Sequence, residues 1–456
     1  ASLQVVKMII DLPFKERSLI TKIQEKNFSQ TMDLCFSRHP YYRARFKQMG
    51  LLRGDIKSLA DIHLLPVITK KDYAAEPEAF RLETKGLEEE ATINWDVMHT
   101  TGTSGGRPTP FYSTSYDFFN TLTANRRALE IRQVRDTDSV ANLCPITLYP
   151  YGAYHRTIAA ANVMKIPVIS PLPGRPSKHF HWTAGLDEVV ETVSRTKVTI
   201  LWGVTSFVRR VLMRAEELRA DFSAVRFAFV TGEAVSSEMR RDLTNRMRRI
   251  GRKDAFVSIS YAATEMQVGS VECCPDSGYH NPAPDHFYFE IVDPDTHKPL
   301  PEGERGLSVL THLDRRGTVL LRYALGDFAA LSTEQCPHCG SWTDRFVGMP
   351  SRADDLVKVK GMLINPEVVM DLLLADGQVG EFQIIVDKEV QNDPLSADRL
   401  RLLLDIDPKT DIERIAETVR VAIGVRPIIE RTERTAIFDP DKSLKAKRFV
   451  DLRSQL

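Results

Sequence analysis

Between Ser139 and Ser260, short runs of β-branched and aromatic residues alternate with helical patterns, and this alternation limits the fold more than any other feature. "KVTILWG" and "AVRFAFV" have the composition of buried strands, whereas "GAYHRTIAAANVM" and "SSEMRRDLTNRMRRIG" have helical periodicity. Ser236 or Ser237 is a candidate N-cap of the second helix, and Gly251 follows its end. Strands that alternate with helices predict a parallel or mixed sheet with helices on both faces.

The pattern changes after Phe287, where β-rich segments are joined by Asp-Pro, Pro-Glu-Gly and Arg-Gly turns. About a hundred residues at the C-terminal end then have the strand and helix order of a small domain, including the amphipathic "DIERIAETVRVAIG". Because 456 residues exceed one ordinary hydrophobic core, we predict two domains, 1–351 and 352–456. The predicted fold class is α/β: a large N-terminal α/β domain with parallel or mixed sheets plus a β-rich subdomain, and a small α+β C-terminal domain.

The charge balance excludes some classes of function. The chain has 61 basic and 61 acidic residues, so its net charge is zero, whereas a dedicated nucleic-acid-binding protein normally has a basic excess. The arginines between Met239 and Ile250 avoid the apolar face of their helix, which indicates a solvated surface. The sequence contains no run of about 18 uncharged apolar residues, and its first residues lack a secretory-signal pattern. We therefore expect no nucleic acid, no membrane and a cytoplasmic location.

The segment "HTTGTSGGRPT", residues 99–109, contains three glycines and five hydroxyl residues. Such a composition suits a phosphate-binding loop, because glycine lets backbone N–H groups approach an anion and hydroxyls add donors. The segment does not match the Walker pattern, which ends in Lys-Ser/Thr, or the dinucleotide pattern G-x-G-x-x-G. By itself, it is equally consistent with a hairpin turn between "INWDVMH" and "PFYSTS".

Four further motifs follow this loop in a fixed order: "YAATE" at 261–265, "RYALGD" at 322–327, "SRADD" at 351–355, and Lys445 near the end of the chain. In this order they resemble the adenylate-forming enzymes, which include acyl- and aryl-CoA ligases, adenylation domains and luciferase-like proteins. The nearest resemblance is to the phenylacetate–CoA ligase family, through "YYRARFKQMGL", "DIKSLADIHLLPVITKKDY" and "LKAKRFVDLR". The likeness extends over nearly the whole chain.

The resemblance implies which residues bind ATP. The implied nucleotide-binding residues are Thr101, Gly102, Thr103, Ser104, Gly105, Gly232, Glu233, Tyr261, Asp327 and Arg352. Within this set the loop would grip the β- and γ-phosphates, Gly232 and Glu233 would flank adenine, and Tyr261 would stack on it. Asp327 would accept hydrogen bonds from the ribose hydroxyls, and Arg352 would contact the ribose or a phosphate.

The implied catalytic residues are Thr264, Glu265 and Lys445. Thr264 would contact the α-phosphate, Glu265 would ligate Mg²⁺, and the Lys445 ammonium would bridge the substrate carboxylate and the α-phosphate. Lys442 and Lys447 are close competitors for the last role. The acidic pair at 354–355 would lie at a hinge that lets a mobile C-terminal domain move between two half-reactions, although a solvated turn is an equal alternative.

Four of the six cysteines lie in two clusters, which favours a metal site in a chain of this size. We predict that a structural Zn²⁺ is bound by Cys274, His280, Cys336 and Cys339, and half of this pattern resembles a zinc site of some phenylacetate–CoA ligase-like enzymes. Cys273 is an alternative to Cys274, and His338 lies nearby. A redox C-x-x-C and four unligated thiols are the alternatives to zinc. Two more cysteines have apolar neighbours and are expected in the core: Cys35 and Cys144.

The family resemblance also implies an acyl pocket formed by Tyr151, Tyr154, His155 and Trp202. An aromatic, partly polar lining suits a planar aryl acid better than a long fatty acid.

We therefore predict an enzyme that activates a small, aromatic carboxylic acid with ATP and Mg²⁺, releases pyrophosphate, and transfers the acyl group to coenzyme A. An alternative is transfer to an amine or to a carrier-protein thiol. A second alternative is a non-catalytic, zinc-stabilised ligase-like protein, because Leu444 and Ser351 replace glycines of the family motifs. A homodimer is a further expectation.

Overall fold

A computed structural model of the chain describes residues 10–99, 108–145, 152–174, 182–352, 356–390, 393, 396–443 and 445–453. The strands, in chain order, are β1 (Asn94–His99), β2 (Pro110–Thr114), β3 (Val140–Asn142), β4 (Val168–Ile169), β5 (Ile200–Val204), β6 (Phe227–Thr231), β7 (Phe256–Tyr261), β8 (Ser270–Val271), β9 (Tyr279–His280), β10 (Phe287–Val292), β11 (Gly306–His312), β12 (Tyr323–Ser332), β13 (Arg345–Arg352), β14 (Val357–Val359), β15 (Met362–Ile364), β16 (Val379–Lys388), β17 (Asp398–Ile406), β18 (Ile428–Arg431) and β19 (Phe449–Asp451).

The α-helices are Arg17–Arg38, Pro40–Met49, Lys70–Ala75, Glu89–Thr92, Ser115–Ile131, Gly152–Met164, Leu186–Thr196, Thr205–Leu218, Ser237–Ile250, Pro366–Ala375, Ile412–Ile423 and Arg434–Ile437. The short 3-10 helices are Leu12–Phe14, Arg53–Asp55, Leu59–Leu64, Pro77–Phe80 and Thr264–Met266. No helix among the described residues has the length and apolar character needed to cross a membrane.

The described residues group into two compact units. The first lies within Ala1–Ser139, Ile146–Val168 and Ser258–Arg352, and the second lies within Val140–Pro145, Ile169–Val257 and Ala353–Leu456. One border, at Arg352 and Ala353, is one residue from the predicted domain boundary, but most of the segment between Val140 and Val257 also belongs to the second unit. The division into domains 1–351 and 352–456 stays a prediction.

The first unit contains the predicted β-rich region. Its strands follow the order β10–β11–β12–β13–β9–β8–β7, and every described pairing along this order is antiparallel. A helical layer from the N-terminal part packs through an aromatic core that includes Phe28, Tyr42, Phe80, Phe111 and Tyr323. Burial of such large rings stabilises the unit through the area that they remove from water.

The second unit contains a parallel sheet in the order β6–β5–β3. Next to it, the helix Ser237–Ile250 buries Met239, Leu243 and Met247, as its periodicity predicts, and the Ser236 hydroxyl accepts a hydrogen bond from the Met239 N–H. A Cβ on Gly251 would lie 2.5 Å from the Phe222 carbonyl oxygen, so glycine is required at the helix end by close packing.

The C-terminal part of the second unit is the predicted small α+β structure. Its four-stranded sheet has the order β18–β17–β16–β19, with an antiparallel central pair and parallel outer pairs. The helices Pro366–Ala375 and Ile412–Ile423 pack on it around a core that includes Phe382 and Ile384. The second of these helices is capped by the Asp411 carboxylate and ends at Gly424, at a φ of 73°. The α/β fold class is therefore confirmed.

Candidate functional site

Glu265 lies in the 3-10 turn that follows β7, and its side chain is buried and oriented. The Tyr323 hydroxyl donates to Glu265 Oε1 over 2.8 Å. Burial and the nearby carboxylate raise the pKa of Tyr323, so the phenol keeps its proton and stays a donor. The Leu320 N–H donates to His312 Nδ1, which leaves His312 Nε2 to donate to the Glu265 carbonyl over 3.0 Å. The turn is thus held at its backbone and at its carboxylate.

The same turn is tied to the helix Gly152–Met164 through two residues that the sequence analysis did not single out. Gln267 Nε2 donates to the Thr264 carbonyl over 2.5 Å, and Arg156 Nη2 donates to Gln267 Oε1, also over 2.5 Å. Arg156 Nη2 is also 3.3 Å from Asp96 of β1. The position of Gln267, two residues after Glu265, is the one sequence signal that could have suggested this role.

Tyr261, Asp327 and Arg352 form one contact group in the first unit. The Tyr261 hydroxyl donates to Asp327 Oδ2 over 2.7 Å, and Arg352 Nε is 3.0 Å from Asp327 Oδ1. Asp327 and Arg352 are cross-strand neighbours of β12 and β13, which explains their proximity. The Phe346 ring packs edge-on against Tyr261 at 5.3 Å between centroids, and burial together with the Asp327 charge raises the pKa of Tyr261.

In the second unit, the structure brings Lys445 to the turn formed by Gly232 and Glu233. The Lys445 Cε and Nζ atoms lie 3.6 Å from the position of a Cβ on Gly232, whose φ is 83°. Glu233 accepts hydrogen bonds from the Ser206 N–H at 2.7 Å and from the Ser206 hydroxyl at 3.0 Å. Burial raises the pKa of Glu233, although Ser206, Arg448 and Lys445 act in the opposite direction. An exposed ammonium therefore lies beside the predicted adenine-flanking segment.

The residues predicted for the acyl pocket lie in both units. Tyr154 and His155 lie on the helix Gly152–Met164 of the first unit, and Trp202 lies on β5 of the second. His155 lies 6.2 Å from the Phe118 ring, and burial and the neighbouring Arg156 lower its pKa, which favours a neutral imidazole. Trp202 packs edge-on against Phe229 at 5.5 Å. Their grouping into one pocket stays a prediction.

Several predicted residues lie outside the part of the chain that the structure describes. They are Thr101, Gly102, Thr103, Ser104, Gly105, Tyr151, Asp354 and Asp355. The strands that flank the glycine-rich loop are described: β1 and β2 pair antiparallel, with His99 opposite Pro110 at the loop end of the pair. The pairing of β1 with β2 is what the hairpin alternative expects of the flanking strands, and the phosphate-binding role stays a prediction.

Three cysteines and one histidine have ligand atoms within 4.8 Å of one another: Cys273, His280, Cys336 and Cys339. The Sγ atoms of Cys273 and Cys336 are 3.9 Å apart, and Cys339 Sγ is 3.8 Å from His280 Nε2. Sulfurs on a tetrahedral zinc with bonds of about 2.3 Å would be about 3.8 Å apart, so the residues fit such an ion. The Cys273–Cys339 interaction lowers the pKa of the Cys273 thiol and raises the pKa of the Cys339 thiol, so the two thiols share one proton in the absence of a metal.

This group differs from the predicted ligand set at one position, where it contains the alternative that the sequence left open. Cys273, and not Cys274, belongs to it, because the Cys273 side chain is buried toward Cys336 whereas Cys274 is partly exposed. Two turns supply the ligands. The Ser277 hydroxyl accepts from the Cys273 N–H over 3.1 Å, and the Gly340 N–H donates to the Cys336 carbonyl over 3.0 Å. The predicted burial of Cys35 and Cys144 is confirmed.

The chain is similar to several known proteins. Residues 177–310 match the AMP-binding enzyme family. The phenylacetate-coenzyme A ligase of Thermus thermophilus is 27% identical over 378 residues, which are 82% of this chain and 79% of that protein. The phenylacetate-coenzyme A ligase of Aromatoleum evansii is 25% identical over 438 residues, which are 92% of this chain and 91% of that protein.

One similar solved structure is 2-hydroxyisobutyryl-CoA ligase in the postadenylation state, in complex with R3-HIB-AMP. Its TM-score is 0.78 at 21% sequence identity, and the match covers 98% of this chain and 92% of that chain. This likeness establishes the fold. The family match and the relatives make the chain similar to adenylate-forming enzymes. The similarity to proteins named phenylacetate-coenzyme A ligase extends over most of the chain.

Proposed function

We propose that this chain activates a small, aromatic carboxylic acid with ATP and then transfers the acyl group to coenzyme A. The observation that carries the proposal is the position of Lys445, whose ammonium lies beside Gly232. Relatives named phenylacetate-coenzyme A ligase that span most of the chain support the same reaction. A solved neighbour of the same fold is a CoA ligase bound to its acyl-adenylate.

In the first half-reaction, a carboxylate oxygen of the acid attacks the α-phosphorus of ATP and forms a mixed anhydride. The bond from the α-phosphorus to the bridging oxygen breaks, and pyrophosphate leaves with the electron pair. The Lys445 ammonium stabilises the negative charge on the carboxylate and the α-phosphate as they approach. Thr264 binds the α-phosphate, and its turn is held in place by Gln267.

Glu265 is the proposed ligand of Mg²⁺, which when bound neutralises charge on the phosphates. Its Oε1 accepts from Tyr323, and within the described part of the chain no hydrogen bond to Oε2 is found, so the carboxylate has capacity for a cation. Asp327 accepts from the ribose hydroxyls, Tyr261 and the Gly232–Glu233 segment flank adenine, and Arg352 contacts the ribose or a phosphate. Gly102 and its loop neighbours grip the terminal phosphates.

In the second half-reaction, the coenzyme A thiol gives its proton to solvent, and its sulfur attacks the acyl carbon. The bond between that carbon and the phosphate oxygen breaks, and AMP leaves. Tyr151, Tyr154, His155 and Trp202 form the proposed acyl pocket, whose aromatic character selects an aryl acid. The predicted mobile C-terminal domain, homodimer and cytoplasmic location belong to the same proposal.

We also propose that Cys273, His280, Cys336 and Cys339 bind a structural Zn²⁺. Four protein ligands leave no open coordination position, so the ion has no place for a reacting group and joins two turns.

The test is pyrophosphate release with ATP and Mg²⁺ across a panel of aryl and short alkyl acids, each with and without coenzyme A. We expect release that depends on an aryl acid and that coenzyme A accelerates. Release that is indifferent to coenzyme A would direct the search for the acceptor to amines and carrier-protein thiols. No release with any acid, together with no ATP binding by calorimetry, would support the non-catalytic alternative and overturn the proposal.

A further inference from the structure

A fully buried carboxylate in the second unit lies between two arginines from different elements. Glu381, on β16, has no exposed side-chain surface, and Arg209, on the helix Thr205–Leu218, is only 2% exposed. Arg209 Nη1 is 3.4 Å from both Glu381 oxygens, and Arg448 Nη1 donates to Glu381 Oε1. Although burial alone would raise the pKa of Glu381, the two guanidiniums hold it below its ordinary value.

Arg209 is held on two further sides. Its Nε donates to Asp242 over 2.8 Å, and its Nη2 donates to the Gly380 carbonyl over 3.0 Å. A Cβ on Gly380 would overlap an Asp405 carboxylate oxygen, so a larger residue here would require the Asp405 side chain to move. All three nitrogens of the Arg209 guanidinium therefore have hydrogen-bond partners, which fix its orientation and compensate for the burial of its charge.

The other arginine anchors the segment that contains Lys445. Arg448 follows Lys445 by three residues, stacks over the Phe382 ring at 4.5 Å and donates to the Phe382 carbonyl over 3.2 Å. The Ile384 N–H donates to the Arg448 carbonyl over 2.8 Å. Lys445 itself is exposed, and its backbone makes local hydrogen bonds with the Ser443 hydroxyl. Its position therefore follows from the anchored residues after it.

The helix Thr205–Leu218 also contacts the Gly232–Glu233 turn, beside which Lys445 lies. Ser206 in its first turn fixes Glu233, and Arg209 one turn on fixes Glu381. We infer that Glu381 is a positioning residue for adenylation: by joining Arg209 to Arg448, it places the Lys445 ammonium beside Gly232. The inference rests on the proposed function, because it assigns Glu381 an effect on the step that Lys445 serves.

The test is Glu381→Gln, which keeps the shape of the side chain and removes its charge. Single-turnover formation of the acyl-adenylate from saturating ATP and the best acid of the panel should slow by about 10- to 100-fold, because small displacements of a reacting group have effects of this size. The Kd of ATP, measured by calorimetry, should stay within about twofold of wild type, because no nucleotide contact is removed. In a Lys445→Ala background, Glu381→Gln should have little further effect, since the group that it positions is gone.

Arg434→Gln is the matched control. Arg434 also joins the helix Thr205–Leu218 to the C-terminal sheet, through Glu217 and Asp405, but its side chain is 30% exposed. This variant should form acyl-adenylate at the wild-type rate, because its ion pairs are partly exposed and do not involve Glu381 or Arg448. If Glu381→Gln does not fold, Arg209→Lys is the second variant, because it keeps the positive charge and removes the paired N–H donors of the guanidinium. It should slow acyl-adenylate formation by a smaller factor and leave the Kd of ATP unchanged.

An unchanged rate in Glu381→Gln, or equal losses of rate, ATP affinity and thermal stability, would overturn the inference. Additive losses in the double variant would overturn it as well. These results differ from failure of the proposed function, in which the wild-type chain itself forms no acyl-adenylate.

Discussion

The Asp327 carboxylate has two protein partners before any nucleotide binds, since Tyr261 donates to one oxygen and Arg352 pairs with the other. We predict that Asp327→Asn raises the Kd of ATP by about 10-fold, because hydrogen bonds to a charged group contribute about 1.5–3 kcal/mol. The ribose hydroxyls would lose their charged acceptor, whereas the backbone pairing of β12 and β13 would stay intact. Calorimetric titration with ATP in the absence of acid measures the change.

Tyr261→Phe separates the ribose contact from the internal hydrogen bond. It removes the hydroxyl that donates to Asp327 but keeps the ring that faces Phe346. We expect a smaller rise in the Kd of ATP than for Asp327→Asn. If the two variants raised the Kd of ATP equally, the effect would come from loss of the Tyr261–Asp327 hydrogen bond, and the proposed contact of Asp327 with the ribose would be wrong.

At the scale of single elements, the two cysteine-containing turns depend on a common metal ion in our proposal. We predict that Cys273→Ser lowers the zinc content from about one ion per chain to near zero and lowers the apparent Tm, because a structural zinc site contributes directly to folding free energy. Zinc is measured by atomic emission after dialysis, and Tm by differential scanning fluorimetry.

The neighbouring cysteine gives a control that differs by one position. Cys274→Ser should keep zinc and Tm near wild type, since Cys274 lies outside the close group of three thiols and an imidazole. Zinc retained in Cys273→Ser and lost in Cys274→Ser would reverse the ligand assignment, and a metal-free wild-type chain would exclude the site.

Local sequence patterns predicted individual elements well, because periodicity and capping act over a few residues. The helix at Gly152–Met164 coincides with the predicted segment, and Ser236 caps the helix at Ser237–Ile250 as expected. The choice between Cys273 and Cys274 could not be made from sequence, because it depends on which side chain the turn directs inward. The contact of Arg209 with Glu381 joins residues separated by 172 positions, and no local signal reports such a pairing.

For the candidate site, the sequence predicted the residues within the motifs but not the contacts that orient them. Motif order supplied Tyr261, Asp327 and Arg352, which the fold brings into one contact group. It did not show that Tyr323, which lies within the motif at 322–327, and Gln267 orient the Thr264–Glu265 turn, because these hydrogen bonds depend on how the chain folds.

At the scale of the whole molecule, the chain has no net charge although its proposed substrate, ATP, is strongly anionic. Attraction by the overall field is therefore small, and in the proposed reaction ATP is recognised by individual donors and cations such as Lys445. Binding of the reaction intermediate should then stabilise the folded chain through many local contacts at once.

We therefore predict that a non-hydrolysable acyl-sulfamoyl-adenosine raises the apparent Tm more than AMP does, and most when its acyl group matches the preferred acid. A ligand present at about 100 times its Kd stabilises the folded state by about 2.7 kcal/mol. Differential scanning fluorimetry at fixed chain concentration measures the shift, and Asp327→Asn serves as the weakened control. Equal shifts with AMP and with every acyl analogue would show that the acyl group makes no contact, and the proposed aromatic pocket would be wrong. A larger shift with aryl than with alkyl analogues supports that pocket, because both analogues share the adenosine contacts and differ only in the acyl group.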